Sequence, residues 1–200
     1  FFKDMKSRGL EGVHMVISDA HKSILRAINK TYPDAAWQRC QVHFIRNILE
    51  ETPTRFKEGL KTELRRMFNA PTIDESRSIR DEIINDYTSV ASKAVEILDN
   101  GFEDSMTVMQ LPEGLRTKLR SSNWIERLNR EFKRRSDVIQ IFPNAASVLR
   151  LMGAVAIEYN DQISMKQRLF TGNTFNRIKL EVLPKLKDIA STQQALLDAI

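Results

Sequence analysis

The spacing of apolar residues along the first 50 positions predicts two strand–helix pairs. The run from His14 to Ser18 is apolar and β-branched, which indicates a buried strand. Beyond it the apolar residues recur every four positions, which predicts a helix, until Pro33 ends the pattern. A second strand is predicted over 37–42 and a second helix from Phe44 onward. This alternation is typical of an α/β domain, in which helices cover a sheet.

Residues 52–115 show only helical spacing. One amphipathic helix is predicted to end before Pro71. Thr72 and Glu75 form a capping-box pattern that opens a second helix, which is predicted to continue until Gly101 closes it. Because no strand pattern interrupts this stretch, we expect an all-helical insertion.

Two further helices are predicted over about 123–135 and about 145–165. Residues 166–200 are weakly patterned and contain Pro184, so no element is predicted there. The chain starts at Phe1 within a helix-like segment and without a Met, so we expect it to be a piece of a longer protein.

The composition is that of a folded, globular protein. The 200 residues are 42% hydrophobic and 28% charged, which argues against disorder. No apolar stretch approaches the ~18 residues needed to cross a bilayer, so no membrane association is expected. A lone cysteine, Cys40, cannot form an internal disulfide and favours a reducing, cytoplasmic compartment.

The positive charge is concentrated in one segment. Residues 113–135 hold eight cations and three anions, which accounts for the whole net charge of +5. Such an excess favours an anionic partner such as a nucleic acid. A solvated helix face would show the same run of charges, so charge alone leaves both interpretations open.

Three separate segments of the sequence contain recognisable motifs. They are Arg8 to Leu10 leading to Val16-Ile17-Ser18-Asp19-Ala20-His21, then Trp37-Gln38-Arg39-Cys40-Gln41-Val42-His43-Phe44-Ile45-Arg46-Asn47, and then Ser122-Asn123-Trp124-Ile125-Glu126-Arg127-Leu128-Asn129-Arg130-Glu131 with Arg134-Arg135 and Ile141 to Asn144. In this order, with a helical stretch between the second and third, they resemble the Mutator-type transposases of bacterial insertion sequences and plants. The likeness extends from about residue 5 to about residue 160.

That family is similar to the ribonuclease H-like transposases, which hold divalent metal ions with an Asp-Asp-Glu triad. The resemblance implies that Asp19 is the second acid and Glu126 the third, each both catalytic and metal-binding. It places the first acid upstream of residue 1. It also implies Mg²⁺ or Mn²⁺ as the cofactor.

The same resemblance implies a fold and a domain organisation. The fold class is then α/β: an incomplete ribonuclease H-like domain, interrupted by an all-helical insertion and helix-rich overall. Residues 1–51 form part of the catalytic core without its first strands, and 52–115 form the insertion. Residues 116–165 return to the core as helices, and 166–200 form a poorly patterned C-terminal tail.

Both acids also have a purely structural interpretation. Asp19 precedes a predicted helix, where an aspartate cap contributes ~1 kcal/mol. The spacing of Asn123 and Glu126 is close to a capping box, in which the glutamate binds the backbone at its own helix start. A carboxylate held in that way is poorly placed to bind a metal, so the two roles of Glu126 conflict.

The pair Cys40-x-x-His43 allows a zinc interpretation. A structural zinc site generally needs four protein ligands, however, and the chain contains only two other histidines and no second cysteine. A Cys40 nucleophile assisted by His43 is favoured even less, because nothing else supports acyl chemistry. The resemblance implies instead that these residues lie near the site as family signatures, together with His21, Asn123 and Asn129.

The position of Glu126 within the basic segment suggests a function for the neighbouring cations. On a helix, Asn129, Arg130 and Lys133 would follow it along the same face. Cations beside a metal site would hold the DNA backbone at the phosphate to be cut. The expected DNA-binding residues are Trp124, Arg127, Arg130, Lys133, Arg134 and Arg135. An apolar stripe of Ile125, Leu128 and Phe132 is expected to face the core, as is Trp37.

The sequence therefore predicts part of a DNA transposase that cleaves element ends and transfers them to target DNA. It would act in the bacterial cytoplasm on nucleoid DNA, as a homo-oligomer, and this chain alone would be inactive without the first acid. Two alternatives stay open. One is a non-catalytic, DNA-binding remnant of a transposase, and the other is a ribonuclease H-like nuclease that cuts without strand transfer.

Overall fold

A computed structural model describes residues 1–165 and 171–198, and helices make up most of their regular structure. The chain forms two compact units. The first comprises Phe1–Ser121 together with the described residues of Asn176–Ile200, and the second comprises the described residues of Ser122–Phe175. Within the described residues, no helix combines the length and the apolar character that a bilayer crossing requires.

The first unit contains two strands and most of the helices. Its elements in chain order are α1 (Phe2–Ser7), β1 (Met15–Ser18), α2 (Lys22–Thr31), β2 (Ala36–Arg39), α3 (Gln41–Glu50), a 3-10 turn (Thr54–Phe56), α4 (Lys57–Phe68), α5 (Ile73–Tyr87), α6 (Ser92–Met106), a 3-10 turn (Thr107–Gln110) and α7 (Glu113–Leu119). The second unit holds α8 (Asn123–Ile139) and α9 (Ala145–Ser164). The chain returns to the first unit through α10 (Gly172–Arg177), a π-helical segment (Ile178–Val182) and α11 (Leu183–Asp198).

The sheet consists of β1 and β2 in parallel, with α2 as the crossover between them. The register pairs Met15 with Ala36 and Ser18 with Arg39. Both strands therefore end at the same edge, which is where residues Asp19 and Cys40 follow them. The predicted strands and their intervening helix are confirmed, although β2 ends at Arg39 because α3 already begins at Gln41.

The main core of the first unit lies among α3, α4, α5 and α6. Phe44 and Ile48 of α3 are fully buried there against apolar residues of the other three helices. Thr72 caps α5 as predicted, since its hydroxyl oxygen accepts a hydrogen bond from the Glu75 N–H at 3.2 Å. Helices α4 and α6 thus pack on α3, which directly follows the sheet, and α5 packs on α4 and α6.

The prediction of a single helix from Thr72 to Gly101 is wrong in two respects. It is broken between α5 and α6 at residues 88–91, where Thr, Ser and Val are poor helix formers. It also continues past Gly101 to Met106. Gly101 does not end the helix but leaves room for neighbouring side chains. A Cβ at this position would lie 2.7 Å from Cε2 of Phe44 and would also clash with the Arg39 guanidinium.

The C-terminal residues form helices where none was predicted. In α11 and the segment before it, Val182, Leu186 and Ala190 recur every four residues and are buried against Ala36 of β2. Pro184 comes just after the π-helical segment, where the regular hydrogen-bond pattern of an α-helix, which a proline cannot join, is already interrupted.

One side chain of α11 binds the open edge of β2. Gln193 accepts a hydrogen bond from the Trp37 N–H at 2.8 Å and donates one to the Trp37 carbonyl at 2.9 Å. The side-chain amide thereby makes the two bonds that a neighbouring strand would make. It also donates to the Asp104 carboxylate on α6 at 2.8 Å.

The second unit is a helical hairpin. The helices predicted over about 123–135 and about 145–165 are confirmed as α8 and α9. Asn144 caps α9 by accepting from the Ser147 N–H at 2.9 Å. The connection begins at Gln140, whose φ of 60° and ψ of −55° give a tight γ-turn closed by a hydrogen bond from Ile141 to Ile139.

Candidate functional site

Asp19 lies directly after β1 with its side chain exposed. Its carboxylate accepts a hydrogen bond from the adjacent Ala20 N–H at 3.1 Å. The cap of α2 is His21, whose Nδ1 accepts from the Ser23 N–H at 3.3 Å. The capping interpretation of Asp19 is therefore wrong, and its carboxylate is left facing solvent at the edge of the sheet.

Trp37 fixes the position of the strand end that precedes Asp19. It is 5% exposed, as expected for a core residue, and its indole N–H donates to Ser18 Oγ at 2.9 Å. Because Gln193 holds the backbone of the same tryptophan, the end of β1 is tied through β2 to α11.

Cys40 and His43 lie at the start of α3, beside the same sheet edge. The buried Cys40 Sγ and His43 Nδ1 are 3.2 Å apart, which is the contact that their spacing on one helical turn allows. In the part of the chain that the structure describes, neither His14 nor His21 joins them in a group of metal-ligand atoms. The histidines that a four-ligand zinc site would need are thus not assembled there.

Arg39 and Asp104 form a charged centre that the sequence did not reveal. The Arg39 guanidinium lies 4.1 Å from the centre of the Phe44 ring, and burial lowers its pKa, while the charges of Asp104 and Asp19 act to raise it. Burial also raises the pKa of Asp104, against the hydrogen bond from Gln193 and the charge of Arg39. This centre places a cation within electrostatic reach of Asp19.

Glu126 lies in the first turn of α8, in the second unit. The N-cap is Ser122 rather than Asn123, and it makes no side-chain capping bond, so the predicted Asn123 capping box is wrong. Instead the Ser122 hydroxyl donates to Glu126 Oε1 at 2.6 Å. The Glu126 carboxylate therefore accepts a hydrogen bond from a hydroxyl group one helical turn earlier in the chain.

The predicted DNA-binding cations of α8 fall into two groups. Arg134 and Arg135 both pair with Glu131, at 2.6 and 2.9 Å, and Arg135 also reaches Glu158 of α9 at 3.2 Å. The second group is Arg127, Arg130 and Lys133, which are exposed and have no ion-pair partner among the described residues.

The burial of the other α8 residues can be compared with the predicted apolar stripe and with the predicted role of Trp124 in stacking on DNA. Leu128 and Phe132 are partly buried, whereas Ile125 is 54% exposed, so the expected apolar stripe is wrong at that position. Trp124 is 37% exposed and Asn129 is exposed. An aromatic surface and several cations thus lie on the accessible side of this helix.

Glu131 should stay ionised under strongly acidic conditions. Hydrogen bonds from Arg134 and then Arg135 lower the pKa of its carboxyl to about 2 from 4.5. Because the folded-state pKa is the lower one, the pairing stabilises the folded chain above about pH 4.5. That contribution is lost as the pH falls toward about 2. Carboxyl NMR titration of the chain should therefore show Glu131 as an outlier near pH 2.

The matched control for this titration replaces both arginines with glutamine, which should return the Glu131 midpoint toward 4.5. A midpoint of 4 or above in the unaltered chain would contradict the ion pairing.

Comparison with known proteins shows which protein family the chain matches. The sequence model described as "Transposase, Mutator family" matches residues 1–165. The transposase for insertion sequence element IS256 in transposon Tn4001 of Staphylococcus aureus is 41% identical over 164 residues, which are 81% of this chain and 42% of the relative. The transposase for IS1081 of Mycobacterium tuberculosis is 38% identical over 81% of this chain and 39% of its own length.

A third relative, the transposase for insertion sequence element ISRM5 of Rhizobium meliloti, is 36% identical over 80% of this chain and 40% of its own length. The chain thus spans about two fifths of the length of the curated relatives that it matches.

Proposed function

The chain belongs to the Mutator family of transposases, and on that basis we propose that it is part of a DNA transposase that cuts the ends of an insertion element and joins them to target DNA. The observation that carries this proposal is the family match, whose range of residues 1–165 includes Asp19, Glu126 and the cations of α8.

Asp19 and Glu126 are proposed as two carboxylate ligands of a divalent metal centre. Both side chains fit that role, because Asp19 follows a strand with its carboxylate exposed and Glu126 is oriented by Ser122. Carboxylate oxygens are the ligands that Mg²⁺ and Mn²⁺ prefer. The bound ions would supply activation of an attacking oxygen and stabilisation of the leaving oxygen at phosphorus.

The exposed cations of α8 are proposed to hold the DNA. Arg127, Arg130 and Lys133 are accessible, and side chains of this kind bind backbone phosphates without reading sequence. Arg134 and Arg135 would instead hold the hairpin together through Glu131 and Glu158. The DNA would therefore contact Arg127, Arg130 and Lys133 more directly than the paired Arg134 and Arg135.

The domain organisation proposed from the resemblance is a ribonuclease H-like core formed by 1–51 and 116–165, with 52–115 inserted. The parallel pair of β1 and β2, joined by the crossover helix α2, supports an α/β core. The strictly helical character of α4, α5 and α6 supports an insertion between its parts.

The proposal is tested with the full-length protein and duplex DNA carrying the element ends. We expect cleavage with Mg²⁺ or Mn²⁺ and none in EDTA, since the reaction would depend on the metal. Pre-cut ends with a 3′-hydroxyl should be joined to target DNA, whereas ends with a 3′-hydrogen should not. Cleavage without joining would favour the nuclease alternative, and binding without cleavage would favour a DNA-binding remnant.

A further inference from the structure

The second unit contains a groove between α8 and α9 whose lining is both aromatic and charged. Its volume is about 480 Å³, within the range of roughly 300–1,000 Å³ that is usual for small-ligand sites. Trp124 and Tyr159 contribute aromatic surface, and Val155, which is 3% exposed, contributes an apolar surface. A flat, apolar group is therefore the kind of ligand that this part of the groove accommodates.

The charges around the groove leave one excess cation. Three arginines line it, namely Arg127, Arg134 and Arg135, against two carboxylates, Glu131 and Glu158. Arg134 and Arg135 pair with Glu131, and Arg135 also pairs with Glu158. Arg127 is exposed and has no ion-pair partner in the described ranges 1–165 and 171–198. The groove thus offers one cation that is ready to bind a singly charged anion.

We propose that this groove binds one unpaired nucleotide of DNA, with the base stacked on Trp124 and the adjoining phosphate bound by Arg127. A base inside a duplex is covered on both faces by its neighbours, so it must leave the stack before its face can lie against an indole. Stacking accepts any base, because every base has a π-face. The site therefore recognises the single-stranded state of DNA and does not read its sequence.

This inference rests on the proposed function for the source of the unpaired strand, since cutting and joining of element ends creates DNA ends that can separate. Glu126 also lies in the first turn of α8, two residues after Trp124 and therefore on another face of the helix. A nucleotide bound here would hold the strand at the helix that carries the proposed metal ligand.

The tryptophan content of the chain provides a direct signal. Its two tryptophans are Trp37, which is 5% exposed, and Trp124, which is 37% exposed. We expect a short single-stranded oligonucleotide to quench the emission of the full chain through Trp124. An abasic oligonucleotide of the same length should bind through its phosphates and cause little quenching. The titrations are made in EDTA, so the result does not depend on metal-supported cleavage.

Variants separate stacking from charge when the affinities are measured by the anisotropy of a labelled oligonucleotide. Trp124→Ala should weaken binding of the normal oligonucleotide by roughly 5- to 150-fold and leave the abasic one unchanged. Trp124→Phe, which retains an aromatic face, should restore most of the loss. Arg130→Ala, on the same helix but outside the groove lining, should weaken binding of both oligonucleotides to the same extent.

Equal affinity of the unaltered chain for normal and abasic oligonucleotides would overturn the proposal. So would equal quenching by a blunt duplex, or tighter binding of the corresponding RNA. A base-dependent difference in a full-length protein that fails to cleave in Mg²⁺ would support the groove and reject the transposase activity. Cleavage without the base-dependent difference would do the reverse.

Discussion

Replacing Glu126 with glutamine in the full-length protein is expected to slow Mg²⁺-dependent cleavage of element-end DNA by at least about 10³-fold. The estimate follows because a catalytic metal supplies several kcal/mol of stabilisation and each ~1.4 kcal/mol changes a rate tenfold. The substitution removes the anionic oxygen but keeps the shape of the side chain. The glutamine amide oxygen can still accept the hydrogen bond from Ser122, so the start of α8 should be preserved. Single-turnover cleavage assays measure the effect.

The matched control is Asp137→Asn, which removes an exposed carboxylate farther along the same helix. It should leave the cleavage rate within about twofold, because surface substitutions away from specific contacts have small effects. DNA binding should be retained in both variants. Unimpaired cleavage by Glu126→Gln would exclude Glu126 as a metal ligand.

Replacing Gly101 with alanine is expected to lower the free energy of unfolding by about 1–3 kcal/mol, although alanine normally favours a helix by up to about 1 kcal/mol. The added Cβ would lie 2.7 and 2.8 Å from two ring carbons of Phe44, which is fully buried. It would also clash with the Arg39 guanidinium, which lies over the same ring. Urea unfolding followed by far-UV circular dichroism measures the change.

Gly114→Ala is the control for this substitution, because it makes the same change in a helix of the same unit. A Cβ at Gly114 would have no other atom within 4 Å, so the variant should be unchanged or slightly more stable. If both variants gained stability equally, the close packing of α6 on α3 would be disproved.

The sequence revealed elements whose pattern is local. The β-branched run at 15–18 and the fourfold spacing after it predicted β1 and α2 because strand and helix faces impose different periods on apolar residues. The prediction that Gly101 ends a helix is wrong. In a sequence, a glycine that ends a helix cannot be distinguished from one that leaves room for a neighbouring aromatic ring. Only the position of Phe44, 57 residues earlier in the chain, distinguishes the two.

Helix α11 shows a second reason why a helix can be absent from a sequence-based prediction. The buried residues Val182, just before this helix, and Leu186 and Ala190 within it are regularly spaced, but Pro184 predicts an interruption. Pro184 follows a π-helical segment, and the spacing of apolar residues does not show where such a segment lies. Gln193 carried no signal at all, because its role depends on a strand 156 residues away.

The candidate site was predictable in part. Family motifs pointed to Asp19 and Glu126, and the structure removes the capping interpretation of Asp19 and the Asn123 capping box. The pairing of Asp19 with Glu126 at one metal centre stays a prediction. Arg39 and Asp104 were missed because a buried charge in a sequence is indistinguishable from a solvated one until its burial is known.

The amide of Gln193 has a consequence for association between molecules. A strand whose N–H and carbonyl groups face outward is a template on which another polypeptide can add, and such edges promote aggregation. At Trp37 the N–H donates to Gln193 of α11, and the carbonyl accepts hydrogen bonds from both Gln193 and the Thr107 hydroxyl. In a protein shortened before α11, Thr107 would still bind the carbonyl, but the Trp37 N–H would lose its partner on the outward edge of β2. We therefore expect the shortened protein to aggregate more readily than the unaltered chain.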